Sequence, residues 1–384
     1  MGVIIRSIKL EEFKSTANLI NEVFRTAIDE KPTMIEEFPL LLNESNLENM
    51  IVAIDGDKVI SNANYLIQDV LIEGQVIKVG FVGAVCTHPE YEGKGYSSKV
   101  LDFMEEKMKK DGVDVISISG TRSLYTRRNC SMVKSFYKYT VNKSEEELDL
   151  NLSLKEFKEV DLRKYLQIYN RNSTRFFRSK EQFRILLDAA TVAWGTYSYK
   201  KLSVKKDNEI IGYVVVRIIG EKNRFGKIIE MEADNLYKAN ILKNIAKEYN
   251  LDYIIYHVHE KDYKNHFEGY SEKELDYQGG TLKVINFENL MNSLKNYFNQ
   301  YVEDELLENL HFKQNDDKYI IEYKGKEDCN NERLVVKGLD KLNKLLFEYD
   351  ENNYGKFKHL KNINNFLEEV FPLDFVWTEN LNYQ

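Results

Sequence analysis

Residues 89–101 read PEYEGKGYSSKVL, where an apolar run gives way to helical spacing. Gly93 and Gly95 permit positive φ and close approach of the backbone, and Lys94 and Lys99 add positive charge. A helix start leaves about four backbone N–H groups without intrahelical partners, so this stretch has the chemistry to hold a phosphate. Glu92 is the discordant residue, because a carboxylate at the rim repels an anion. Facing solvent, it would be screened, and we read it that way, with the backbone amides doing the holding. The three-glycine spacing of dinucleotide-binding turns is absent, and Gly-Lys is not followed by Ser or Thr in the frame of a nucleotide P-loop.

Other residues with chemical potential carry less. His257 and His259 sit at i, i+2 and face one side of a strand, with Glu260, Asp262 and His266 nearby. A polar strand end explains them as well as a metal would, so we expect no metal site. Cys130, in SLYTRRNC, is expected to be a small packing group rather than a nucleophile.

The elements that must position the glycine loop follow from periodicity. NMIVAI, VISNANYLIQDVLI and VIKVGFVGAVCT, separated by DGDK and EGQ turns, form an antiparallel meander. After the loop, Tyr96, Val100, Met104 and Met108 recur every four residues and share one helix face. VDVISISG is then a strand, LYTRRN a short helix and VKSFYKYTV a closing strand. A related unit recurs, with KKDNEIIG echoing AIDGDKVIS, but its strand-to-helix junction EADNLYK has no glycine and should hold no phosphate. From GGTLKVINF onward the pattern is a smaller α+β unit. We expect an α/β (α+β) chain of three packed units, at 1–145, 146–278 and 279–384.

Composition bounds the rest. The 384 residues are 43% hydrophobic and 30% charged, as in soluble globular proteins, and no apolar stretch reaches membrane-spanning length. Three widely spaced cysteines argue against a disulfide framework and for a reducing, cytoplasmic setting. A formal charge of −8 weakens a nucleic-acid role and mildly suits cationic ligands.

The segment V-C-T-H-P-E-Y-E-G-K-G-Y-S-S resembles the central motif Q/R-x-x-G-x-G/A of GCN5-related N-acetyltransferases (GNAT). Gly95 falls on the first required glycine, Glu92 where Gln or Arg is preferred, and Ser97 where Gly or Ala is preferred. SLYTRRNC resembles the later motif Y-x-x-x-G-F, with Tyr125 at the tyrosine, Asn129 at the glycine and Cys130 at the aromatic. The whole chain is similar to the enhanced-intracellular-survival (Eis) type: a catalytic GNAT unit, a degenerate second copy and a sterol-carrier-like C-terminal unit.

That resemblance implies acetyl-CoA as co-substrate without a metal, bound by Val85, Cys86, Thr87, Gly93, Lys94, Gly95, Tyr96, Ser97, Ser98, Gly120 and Thr121. It implies Tyr125 as general acid to the leaving thiolate and the terminal carboxylate of Gln384 as base. A strand bulge would open a slot for the pantetheine arm, and an N–H near Val85 or Cys86 would polarise the thioester carbonyl. The acceptor would be a small primary amine, aminoglycoside- or polyamine-like, on a homo-oligomer such as a hexamer, with no nucleic-acid or membrane partner. A non-catalytic ligand sensor and a protein or peptide N-acetyltransferase are the alternatives on the same scaffold.

Overall fold

The computed structural model describes residues 2–143, 151–192, 197–259, 271–327, 330–350 and 353–383. The chain runs β1 (Ile4–Ser7), α1 (Phe13–Phe24), α2 (Met34–Glu37), β2 (Met50–Asp55), β3 (Lys58–Ile72), β4 (Gln75–Thr87), α3 (Tyr96–Lys110), β5 (Val115–Ile118), α4 (Ser123–Thr126) and β6 (Lys134–Asn142). It continues β7 (Leu152–Glu156), α5 (Leu162–Tyr169), β8 (Arg175–Phe176), α6 (Lys180–Ala189), β9 (Ser198–Lys206), β10 (Glu209–Ile219), β11 (Phe225–Glu232), α7 (Asn235–Glu248), β12 (Tyr253–His259) and β13 (Ser271–Tyr277). The remainder is β14 (Thr281–Val284), α8 (Phe287–Ser293), α9 (Lys295–Phe298), α10 (Asp304–Glu308), β15 (Leu310–Asn315), β16 (Lys318–Tyr323), β17 (Glu332–Lys337), α11 (Leu339–Phe347) and α12 (Lys361–Val370).

Among the described residues these form two seven-stranded mixed sheets and a three-stranded antiparallel one. The first is ordered β1-β2-β3-β4-β5-β14, with β8 added to β3. Its meander is antiparallel, and β4 pairs with β5 in parallel across α3, as a strand–helix–strand crossover requires. Burial of β2 on both faces explains its unbroken apolar run: Ile51 and Ala53 face the core under α3, Met50, Val52 and Ile54 the core under α1. Val100, Leu101, Met104 and Met108 of α3 are buried on this sheet, each contributing about 1.5–3 kcal/mol. Gly80 lets the helix sit close, since a Cβ there would lie 2.8 Å from Met108 Sδ.

Strand partnership departs from the sequence-based reading at one place. VKSFYKYTV is β6, and it closes the second sheet, between β12 and β13, rather than the first. The edge of the first sheet is supplied by β14, antiparallel to β5. Period-two alternation tells that a strand has a buried face but not which sheet it joins. The second sheet runs β13-β6-β12-β11-β10-β9-β7. The 145/146 boundary falls outside the described residues.

The C-terminal helices pack on the first sheet rather than apart from it. Val70, Ile72, Val79 and Phe81 share one core with Phe287, Met291, Phe298 and Phe366. None of the described helices is long and apolar enough to cross a membrane.

Candidate active site

The glycines ahead of α3 take the left-handed backbone their type permits. Gly93 and Gly95 have φ of 73° and 77°, and Gly95 is the N-cap of α3 with no side-chain hydrogen bond to the helix start. A Cβ at either glycine would meet nothing within 4 Å, so the loop surface is open to a ligand. Glu92 is exposed; its N–H donates to the Pro89 carbonyl at 3.2 Å, and its carboxylate meets no hydrogen-bond or ion-pair partner among the described residues. Lys94 is drawn aside: its Nζ donates to the Glu90 carbonyl at 2.9 Å and sits 4.8 Å from the Tyr91 ring centre. The grip offered to an anion is therefore chiefly the helix-start amides. Tyr96, Ser97 and Ser98 begin α3 and are half-buried.

Upstream, β4 carries a bulge. Asn62 of β3 faces Cys86, yet Asn64 faces Gly83, so β4 holds one extra residue, and Ala84 takes φ of 50°. The parity change is visible in packing: Val82 and Val85 point into the same core although they are three residues apart. Ladder pairing between β4 and β5 covers only 79–82 with 115–118. Beyond it the strands diverge, and residues 83–87 have no ladder partner on the β5 side. A cavity of about 470 Å³ opens there, lined by Val82, Gly83, Ala84, Val85, Ser119 and Tyr125 among others.

Among the expected ligand-binding residues, Cys86 and Thr87 can offer only backbone. Cys86 is buried with Sγ 2.8 Å from Asn62 Oδ1, and burial pushes its thiol far up. The Thr87 hydroxyl is held by Ser61 at 2.7 Å. Gly120 has a further role, because a Cβ there would lie 2.9 Å from the Tyr125 ring. Thr121 is exposed.

Tyr125 lies on α4, its ring buried against Gly120 and its hydroxyl without a hydrogen-bond partner among the described residues. Burial raises its pKa, opposed by Arg122. Asn129 adopts φ of 63°, the left-handed conformation asked of a glycine replacement, and the Cys130 N–H donates to the Tyr125 carbonyl at 3.1 Å. Cys130 is buried, its thiol pushed up to about 12 by burial, as befits a packing group.

Gln384 lies outside the described residues. The residues before it enter the cavity: Glu379, Asn380, Leu381 and Tyr383 line its wall. Asn382 is clamped in a buried network. Arg178 Nε donates to Asn382 Oδ1 at 2.6 Å while its other nitrogens grip Glu230 at 2.8 and 2.7 Å. Asn382 Nδ2 in turn donates to Gln68 Oε1 at 3.2 Å on β3, so the chain end is tied to both large sheets. Sequence reasoning missed this clamp, together with Arg25, Arg217 and Lys227 in the cavity wall, because their partners are tens to hundreds of residues away.

The histidine pair packs against the tail segment. His257 stacks on Trp377 at 4.2 Å and its Nε2 lies 3.1 Å from Asp276, while His259 Nδ1 lies 3.1 Å from Asp374. Glu260, Asp262 and His266 lie outside the described residues.

A bulged strand splaying from its parallel neighbour, just ahead of a glycine-started helix, defines an acyl-CoA-dependent N-acetyltransferase fold. Residues 4–133 match the model of the acetyltransferase (GNAT) domain family, so the chain carries a GNAT domain and is an acyltransferase enzyme. No curated protein sequence matches the chain. Its fold is similar to a GCN5-related N-acetyltransferase from Anabaena variabilis (12% identity, 90% of each chain, TM-score 0.63). A probable N-acyltransferase from Enterococcus faecalis is similar over 98% of this chain and 97% of its own (12% identity, TM-score 0.64). Eis1 from Mycobacterium abscessus is similar over 76% of each chain, at 14% identity and TM-score 0.51. At such identities the likeness concerns the fold.

Proposed function

We propose that the chain transfers an acetyl group from acetyl-CoA to a primary amine of a small molecule. The observation that carries this is one sequence of features along the first sheet: open helix-start amides at Gly95, the splayed edge of β4, and Tyr125 in the wall of the cavity at the splay. Acetyl-CoA, when bound, supplies an activated thioester. The amides at the start of α3 would hold its pyrophosphate, and the free edge of residues 83–87 would pair with the pantetheine arm as a peptide adds to a sheet. A backbone N–H at the bulge would polarise the thioester carbonyl.

The amine nitrogen then bonds to the acetyl carbon as the carbon–sulfur bond breaks, and most of the rate gain comes from holding both reactants in place. Tyr125 gives its proton to the departing sulfur; its raised pKa keeps it protonated throughout the neutral range. The terminal carboxylate of Gln384 would take the amine's proton, a reading supported by the clamp on Asn382 two residues before it. The second sheet is read as a diverged copy of the first, supported by its own hairpin, bulge and splay. The C-terminal unit keeps its sterol-carrier-like reading, and a homo-oligomer is expected, to be checked by light scattering.

The test is coenzyme A thiol release from acetyl-CoA with an amine panel and protein untagged at its C-terminus. Amine-dependent release supports the reading. Acetyl-CoA binding with no release for any amine would instead favour a sensor. Extending the chain past Gln384 should cut turnover sharply, and full activity in the extended protein would remove the terminal carboxylate from the mechanism.

A further inference from the structure

The cavity at the splay carries more positive charge than its own carboxylates answer. Its wall includes Arg25, Arg122, Arg217 and Lys227 against Glu37 and Glu379. Glu37 is occupied by Arg25, whose Nε donates at 2.8 Å, and by the Thr33 hydroxyl at 2.6 Å. Glu379 is paired with Lys227. Arg122 and Arg217 meet no carboxylate among the described residues. Among the described residues of the lining, four cations face two carboxylates. The chain as a whole is at −8, so this local excess runs against composition.

Arg217 is the better placed of the two free cations, since Arg122 is exposed. Its guanidinium carbon lies 5.4 and 5.3 Å from the ring centres of Tyr197 and Tyr199, and it hydrogen-bonds the Tyr199 hydroxyl. Its Nε is buried with no acceptor among the described residues. Aromatic packing therefore fixes a planar donor set before any ligand arrives, which lowers the entropy lost on binding. Residues 93–98 do not line this cavity, so the cations here do not serve phosphates held at the start of α3.

We propose that the acceptor is an amine that also carries a carboxylate, of the size of a free amino acid, with Arg217 holding the carboxylate. The proposal rests on the acetyltransferase reading and assigns its acceptor. A guanidinium fork matches a carboxylate in two parallel hydrogen bonds. Phe24, Phe38, Tyr199 and Tyr383 add aromatic walls suited to an apolar side chain. An aminoglycoside or polyamine would bring further cations to a lining already in positive excess and would be repelled.

The test compares phenylalanine, phenylalaninamide and spermine, binding by calorimetry to full-length protein saturated with coenzyme A, and turnover by thiol release with acetyl-CoA. Phenylalanine is expected to bind at least about tenfold more tightly than the amide or spermine. Arg217→Gln should bring the ratio of phenylalanine to amide close to one, while Arg217→Lys, which keeps the charge and guards against a folding artefact, should retain part of it. Absent phenylalanine binding, or binding of spermine or the amide as tight as that of phenylalanine, overturns the proposal. So does an Arg217→Gln variant that loses turnover equally on every amine, which would mean Arg217 holds the chain's own terminus. Selective phenylalanine binding without turnover of any amine would keep Arg217 as a carboxylate site but sink the acetyltransferase reading and with it the role of acceptor; turnover without selectivity would overturn the proposal and leave the acetyltransferase reading standing.

Discussion

The two large sheets each send a bulged strand into the start of a helix, yet the two helix starts are built oppositely. In the first, β4 carries its extra residue at Ala84 and leaves β5 after 79–82. In the second, β11 carries its extra residue between Ile228 and Glu230 and leaves β12 after 225–227. There the likeness ends. α3 begins at a left-handed glycine with no side-chain cap, whereas α7 begins at Asp234, whose carboxylate accepts the Leu236 N–H at 3.0 Å. An anion is thus built into the second helix start, while the first leaves its amides for one that must come from outside. The splay in the second sheet is also lined by the chain's own residues Asp374, Phe375, Val376 and Trp377. A helix N-terminus becomes a ligand site only where no side chain has already claimed it.

The comparison can be broken where chemistry is added to the first sheet alone. Tyr125→Phe should lower turnover by about 10²- to 10⁴-fold while acetyl-CoA binding in calorimetry holds; undiminished turnover would remove Tyr125 from the mechanism. Because burial lifts the Tyr125 pKa above its ordinary value of 10, loss of its proton should depress the rate only above pH 10. Gly95→Asp would give α3 the cap of α7. Asp tolerates positive φ, so the fold should survive, but acetyl-CoA should bind about thirtyfold more weakly, near 2 kcal/mol.

The second sheet has its own prediction in pH. Burial raises the Glu232 carboxyl from 4.5 to about 7, opposed by Lys238. Between those values the folded protein keeps a proton that the unfolded chain has lost, so stability should fall as pH rises through this window, on the order of 1–3 kcal/mol in urea unfolding. Glu232→Gln should flatten that slope; an unchanged slope would place its origin elsewhere. Asp234→Ala should cost about 1 kcal/mol in thermal unfolding and create no second acetyl-CoA site, because no glycine opens that turn. The smallest effect is expected for Glu92→Gln, a two- to fivefold gain in acetyl-CoA affinity, since the exposed carboxylate acts on the bound anion only through screened water at about 0.3–1 kcal/mol.

What was legible in the sequence was local. The meander, the glycine turn and the Val100–Met104–Met108 face are each set by neighbours a few residues away, and the structure has them; the left-handed position at Asn129 was expected only from the motif resemblance. The bulge at Ala84 was foreseen only by resemblance, because Gly83-Ala84-Val85 carries no turn signal of its own. Illegible were facts made by distant partners. The pairing of β6 with β12 and β13, the edge strand β14 on β5, and the clamp of Asn382 by Arg178 and Gln68 join segments more than a hundred residues apart. The cavity's charge was equally hidden: a chain at −8 gives no hint that Arg25, Arg122, Arg217 and Lys227 line one cavity.

The central claim is that one helix start is open to coenzyme A and the other is closed by its own aspartate. Calorimetric titration of the untagged protein with acetyl-CoA tests it most directly. The account predicts micromolar binding at one site per chain, lost in Gly95→Asp and kept in Asp234→Ala. Two sites per chain, or none, would contradict it.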